Sequence, residues 1–125
     1  MSFNTPILLL TYRNHKVTKK VFDQIKKVKP SKLYIASDGY PLDNNKIRDE
    51  IDTTRKIFNQ IDWECDVKKK FSKKNLGIKS GVVSAIDWFF DNEDEGIILE
   101  YDCLPSTHFF DYCEKLRQAP TPHIP

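Results

Sequence analysis

With 125 residues, 39% hydrophobic and 30% charged, the chain is long enough for one domain that buries roughly two thirds of its unfolded surface. Its formal net charge of +2 supplies no overall field that would select a nucleic acid or a membrane surface. The three cysteines, Cys65, Cys103 and Cys113, have neither CxxC spacing nor histidines at zinc-ligand offsets, so they read as reduced, semi-buried thiols of an intracellular protein.

The apolar run Ile7 to Leu10 predicts a fully buried strand. It is too short to cross a bilayer and lacks a signal peptide's longer core and cleavage site, so a cytoplasmic location without a membrane span is expected. Val17, Val21, Phe22, Ile25 and Val28 then recur at helical spacing until Pro30 stops the pattern. Lys32 to Ser37 predicts a second strand ending in Asp38-Gly39. After a turn rich in Pro, Asp and Asn, the residues Ile47, Ile51, Thr54, Phe58 and Ile61 mark one face of a second helix.

Cys65, Val67, Lys69 and Phe71 alternate with Glu64, Asp66, Lys68 and Lys70, the period of a strand with one polar face near a sheet edge. The Lys68 to Lys74 cluster reads as a solvated face. A polar loop from Ser72 to Gly77 leads to a third helix carrying Val82, Val83, Ile86, Phe89 and Phe90. Asn92 to Gly96 breaks it, and Ile97 to Glu100 is the fourth strand. Phe109, Cys113 and Leu116 predict a last short helix. The proline-rich residues 119–125 are expected to form an extended or disordered tail after a single domain over 1–118. The βαβαβαβα order predicts a three-layer α/β/α, Rossmann-like fold with a mainly parallel sheet.

On that frame every strand is followed by groups suited to a nucleotide. Thr11-Tyr12-Arg13-Asn14 follows the first, Asp38-Gly39 the second, Asn75-Leu76-Gly77-Ile78-Lys79 the third, and Glu100-Tyr101-Asp102 the fourth. All four sets fall at one sheet edge, the usual ligand position in open α/β sheets. A carboxylate such as Asp38 accepts from a base N–H, Arg13 donates or stacks, and Lys79 near a helix start meets a diphosphate. Glu100 and Asp102, one residue apart, would share a side in an extended chain and suit a hard cation such as Mg²⁺ or Mn²⁺. Each also has a plainer reading: a solvated strand end for the two acids, a common turn pair for Asp38-Gly39, and an ordinary loop for Asn75 to Gly77.

The order of Leu-Leu-Thr-Tyr-Arg-Asn (9–14), Tyr-Ile-Ala-Ser-Asp-Gly (34–39), Lys-Asn-Leu-Gly (74–77) and Ile-Ile-Leu-Glu-Tyr-Asp-Cys-Leu-Pro (97–105) resembles nucleotide-diphospho-sugar transferases of the GT-A fold. Within them the chain is most similar to family 2 glycosyltransferases and to the N-acetylglucosaminyltransferase I type, from Thr5 to about Arg117. The resemblance implies UDP-sugar binding by a metal-dependent transferase of hexosyl or N-acetylhexosaminyl groups. Arg13 and Asp38 would contact the base, with Thr11 and Tyr12 shaping its pocket. Gly39, Asn75 and Gly77 belong to the same nucleotide-binding segments, Lys79 falls near the diphosphate, Glu100 faces ribose or sugar, and Asp102 holds Mn²⁺.

Tyr101 stands where relatives often carry a middle Asp and cannot supply that carboxylate. The family's second half, with the acceptor site and the catalytic base of inverting members, has no counterpart after Leu116, so a half domain is expected. His15, His108 and His123 are isolated, and no catalytic residue is assigned. A half-length sheet would leave an edge to cover, and a homodimer in which residues 105–116 take part is expected. The alternatives are an inactive binding or scaffold relative and a flavodoxin-like or receiver-like domain.

Overall fold

The computed structural model describes residues 3–118. The tail expected over 119–125, with His123, lies outside the described residues. The elements follow in the order β1 (Ile7–Thr11), α1 (His15–Val28), β2 (Lys32–Ser37), α2 (Asn45–Lys56) with a 3-10 turn (Ile57–Gln60), β3 (Asp66–Phe71), α3 (Ile78–Asn92), β4 (Ile97–Glu100) and α4 (Thr107–Gln118).

The strands form one all-parallel sheet in the order β3-β2-β1-β4. This is the order of a Rossmann-type half, with the third strand beside the second. In flavodoxin-like and receiver-like domains the third strand lies beside the first, so the topology removes that alternative. β1, which reads as a fully buried apolar run, and β2 occupy the centre, whereas the apolar run of β4 lies at the sheet edge with Ile98 and Glu100 exposed.

Local chemistry sets the helix limits. Asn14, at φ 73°, turns the chain out of β1 and accepts the Val17 N–H, opening α1. Lys29 closes it at φ 51°, donating its N–H to the Ile25 carbonyl one residue before Pro30. Gly77, at φ 86°, makes the corresponding turn into α3, where an L side chain would be strained.

The alternating strand positions divide the interior in two. Ile7, Leu9, Leu33, Ile35, Ile97 and Leu99 pack with Val21, Phe22 and Ile25 of α1, Phe58 of the 3-10 turn and Phe110 of α4. Leu8, Leu10, Tyr34 and Ala36 face the other way and are covered by Ala85 and Phe89 of α3. Among the described residues one helix, α3, covers this second face. Its outer residues Val83 and Phe90 and the edge residue Ile98 stay partly in solvent.

The last helix differs from the periodicity reading. Phe110 is fully buried against Phe3, while Phe109 is 41% and Leu116 57% exposed. The inner face of α4 is completed by polar residues. Glu114 accepts the Asn4 and Thr5 N–H groups and the Thr5 hydroxyl, and Arg117 bonds both Thr5 and Glu114.

Candidate functional site

The carboxyl ends of all four strands meet around a cleft of about 510 Å³, within the range that holds small-molecule ligands. β1 contributes Thr11 and Tyr12, β2 Ser37 and Asp38, β3 Lys70 and Ser72, and β4 Glu100, Tyr101 and Asp102. Asn75, Gly77 and the α3 residues Ile78, Gly81, Val82 and Ala85 close the remaining side. Of the residues expected from sequence, Thr11, Tyr12, Asp38, Asn75, Gly77, Glu100 and Asp102 are thus brought together.

Arg13, Gly39 and Lys79 are not among the lining residues. Arg13 is exposed beyond the strand. Lys79 lines a neighbouring open groove with Ser80, Ser84 and Trp88, on the outer side of α3. Gly39 has a backbone duty: a Cβ there would stand 2.3 Å from the Lys74 carbonyl carbon, so glycine permits the close approach of the two loops at the Tyr40 to Lys74 bridge. Thr11 is buried at the cleft floor, its hydroxyl donating 2.9 Å to the Ala36 carbonyl.

The loops are fixed by side chains whose roles differ from a simple ligand list. Asp38 Oδ1 accepts the Gly39 N–H at 2.7 Å and the Leu76 N–H at 2.9 Å, which ties the end of β2 to the segment before α3. Asn75 donates to the Tyr12 hydroxyl at 3.0 Å and the Gly39 carbonyl at 3.1 Å, and accepts from Gly77. The phenol of Tyr12 is thereby held in place.

Two contributors escaped the sequence reading. Arg55, at the end of α2, bonds the Ser37 hydroxyl at 2.9 Å and the carbonyls of Asp38 at 2.9 Å and Ser72 at 2.8 Å. Its guanidinium also lies over the Tyr40 and Phe71 rings. It clamps the ends of β2 and β3 together, a planar fork meeting several acceptors at once. Lys70 sits on the face of the edge strand that looks toward α3 and lines both the cleft and the outer groove. A lysine-rich amphipathic strand gave no reason to separate it from its neighbours, and an arginine in a helix's last turn reads as solvated.

Glu100 and Asp102 do approach each other, though by a different backbone route. The strand ends at Glu100, and the Cys103 N–H donates to the Glu100 carbonyl at 3.1 Å, closing a turn. Ligand atoms of Glu100, Asp102 and Cys103 lie within 4.8 Å of one another, all on exposed residues. The carboxylates suit a hard divalent cation that keeps waters and takes phosphate oxygens as further ligands, whereas the thiol is too soft to be selected by Mg²⁺. Glu100 and Asp102 are thus the residues that could hold a hard cation such as Mg²⁺ or Mn²⁺. Three carboxylates, Asp38, Glu100 and Asp102, and one cation, Lys70, line the cleft, so an anionic ligand needs an accompanying positive charge.

The other candidate groups lie elsewhere. Burial pushes the Cys65 and Cys113 thiols up, which suits inert half-buried cysteines, whereas Cys103 is exposed rather than semi-buried. Among the described residues no helix is long and apolar enough to cross a membrane. Compared with protein-family models, curated proteins and solved structures, the chain gives no match.

Proposed function

We propose that this domain binds a nucleotide sugar, a UDP-sugar, together with Mn²⁺ or Mg²⁺, in the cleft at the carboxyl edge of its sheet. The observation that carries the reading is the convergence of Asp38, Lys70, Glu100 and Asp102 from the ends of three strands, β2, β3 and β4, on one cleft of ligand size. Among the described residues Asp38 accepts hydrogen bonds only through Oδ1, which leaves Oδ2 for a base N–H. Lys70 supplies a donor to the base carbonyl, on β3, separated by two strands from the acidic end of β4. Asp102, with Glu100 beside it, holds the cation against the diphosphate.

The family resemblance and the Rossmann-type order support the same reading, with the domain acting as the nucleotide-binding half of a cytoplasmic glycosyltransferase. Its exposed β4 edge would be covered in a homodimer. No residue near the cleft is assigned as a catalytic base, so binding without turnover, the scaffold alternative, is distinguished by sugar transfer alone. Calorimetric titration with UDP and with FMN, each with and without Mn²⁺, tests the proposal. UDP binding that strengthens with Mn²⁺ is expected. FMN binding in its place, or no binding of either, would refute it.

A further inference from the structure

Tyr101 is the residue at which the chain departs from the resemblance, and its placement gives it a use. It follows Glu100 directly, just past the last pair of the β1/β4 ladder, Leu10 with Glu100, and lines the cleft. The turn closed by Cys103 N–H fixes its backbone. Tyr101 is half-buried among the lining residues, and its two chain neighbours there, Glu100 and Asp102, are exposed carboxylates. Unlike Tyr12, whose hydroxyl is held by Asn75, Tyr101 has no side-chain hydrogen bond recorded among the described residues.

An aromatic side chain in the same cleft as a pair of carboxylates matches a sugar ring. The ring's negative π face attracts the polarised C–H groups of a pyranose, while neighbouring carboxylates accept its hydroxyls. We infer that Tyr101 is the platform on which the sugar of the bound nucleotide sugar rests, so that the phenol at this position selects sugars presenting a continuous C–H face. The inference rests on the nucleotide-sugar reading. Asp102 holds the cation, and Glu100 beside it accepts a sugar hydroxyl.

The test titrates UDP and UDP-glucose, both with Mn²⁺, into the wild type and the variants Tyr101→Phe, Tyr101→Leu and Tyr101→Ala, with thermal melts to establish folding. Tyr101→Phe should retain the preference for UDP-glucose over UDP. Tyr101→Leu and Tyr101→Ala should lose roughly 3- to 10-fold in UDP-glucose affinity with UDP affinity unchanged, the size of an aromatic contact. An equal loss for both ligands would put the ring under the base and overturn the inference, as would undiminished UDP-glucose binding by Tyr101→Leu. Failure of the wild type to bind UDP would instead overturn the nucleotide reading itself, and the platform with it.

Discussion

Replacing Asp38 separates its scaffold role from its proposed ligand role. Oδ1 holds two backbone amides, at 2.7 Å from Gly39 N and 2.9 Å from Leu76 N. Asp38→Ala leaves both without their acceptor, a loss of about 2–4 kcal/mol after allowing for the partial exposure of the site. For a domain of this size that lowers the melting temperature by roughly 8–15 °C. Asp38→Asn keeps a carbonyl oxygen for those amides and should cost about 1 kcal/mol or less. It places an NH₂ group where the free carboxylate oxygen would accept from the base. The lost bond then weakens uridine binding without Mn²⁺ by about 1.5–3 kcal/mol, or roughly 10- to 150-fold. Differential scanning calorimetry gives the first quantity and titration calorimetry with uridine the second. A stable Asp38→Asn with wild-type uridine affinity would refute the placement of the base at Asp38.

Asp102→Asn should leave UDP affinity without metal unchanged and remove most of the gain brought by Mn²⁺; equal affinities of wild type and variant in Mn²⁺ would refute the cation site. At Gly81, inside α3, a Cβ would make only ordinary contact, 3.5 Å from the Asp38 carboxyl carbon. Gly81→Ala should therefore stabilise the fold by about 0.5–1 kcal/mol in a melt while weakening nucleotide binding, because the methyl enters the cleft. Burial raises the Glu114 pKa, but bonds from Arg117 and from the Thr5 hydroxyl and N–H outweigh it and hold the carboxyl below its usual range. Its contribution is thus present above the unfolded carboxylate pKa and lost as pH falls through the folded one, so Glu114→Gln should flatten the acid side of a melting profile. Light scattering should give the dimer mass at high concentration, and a strict monomer would exclude the proposed pairing through β4.

What the sequence made legible follows from where side chains are uniform. Ile7 to Leu10 is buried on both faces, so its apolar run announced a fully buried strand, and the alternation of β3 announced an edge. The apolar run of β4 did not betray that strand's edge position, where Ile98 and Glu100 are exposed. The Asp38, Asn75, Glu100 and Asp102 positions were legible because each lies at, or within four residues of, the carboxyl end of a strand. The inner face of α4 was not, because Glu114 and Arg117 complete it and an apolar count passes over polar anchors. Arg55 and Lys70 were hidden for a related reason. Their importance comes from partners distant in sequence, Ser37, Asp38 and Ser72 for Arg55 and the α3 wall for Lys70. The expected extended geometry at Glu100 and Asp102 gave way to a turn, since the β4 ladder with β1 ends at Glu100.

The central claim is that nucleotide and cation meet at one cleft over the strand ends. Paramagnetic broadening of backbone amide signals by Mn²⁺, recorded with and without UDP, tests it most directly. With UDP present, signals of Glu100 to Cys103 and of Tyr12 on the facing strand end should be lost at substoichiometric Mn²⁺, while those of the outer α3 groove at Ser84 and Trp88 persist. Broadening that is centred elsewhere, or that is indifferent to UDP, would contradict the account.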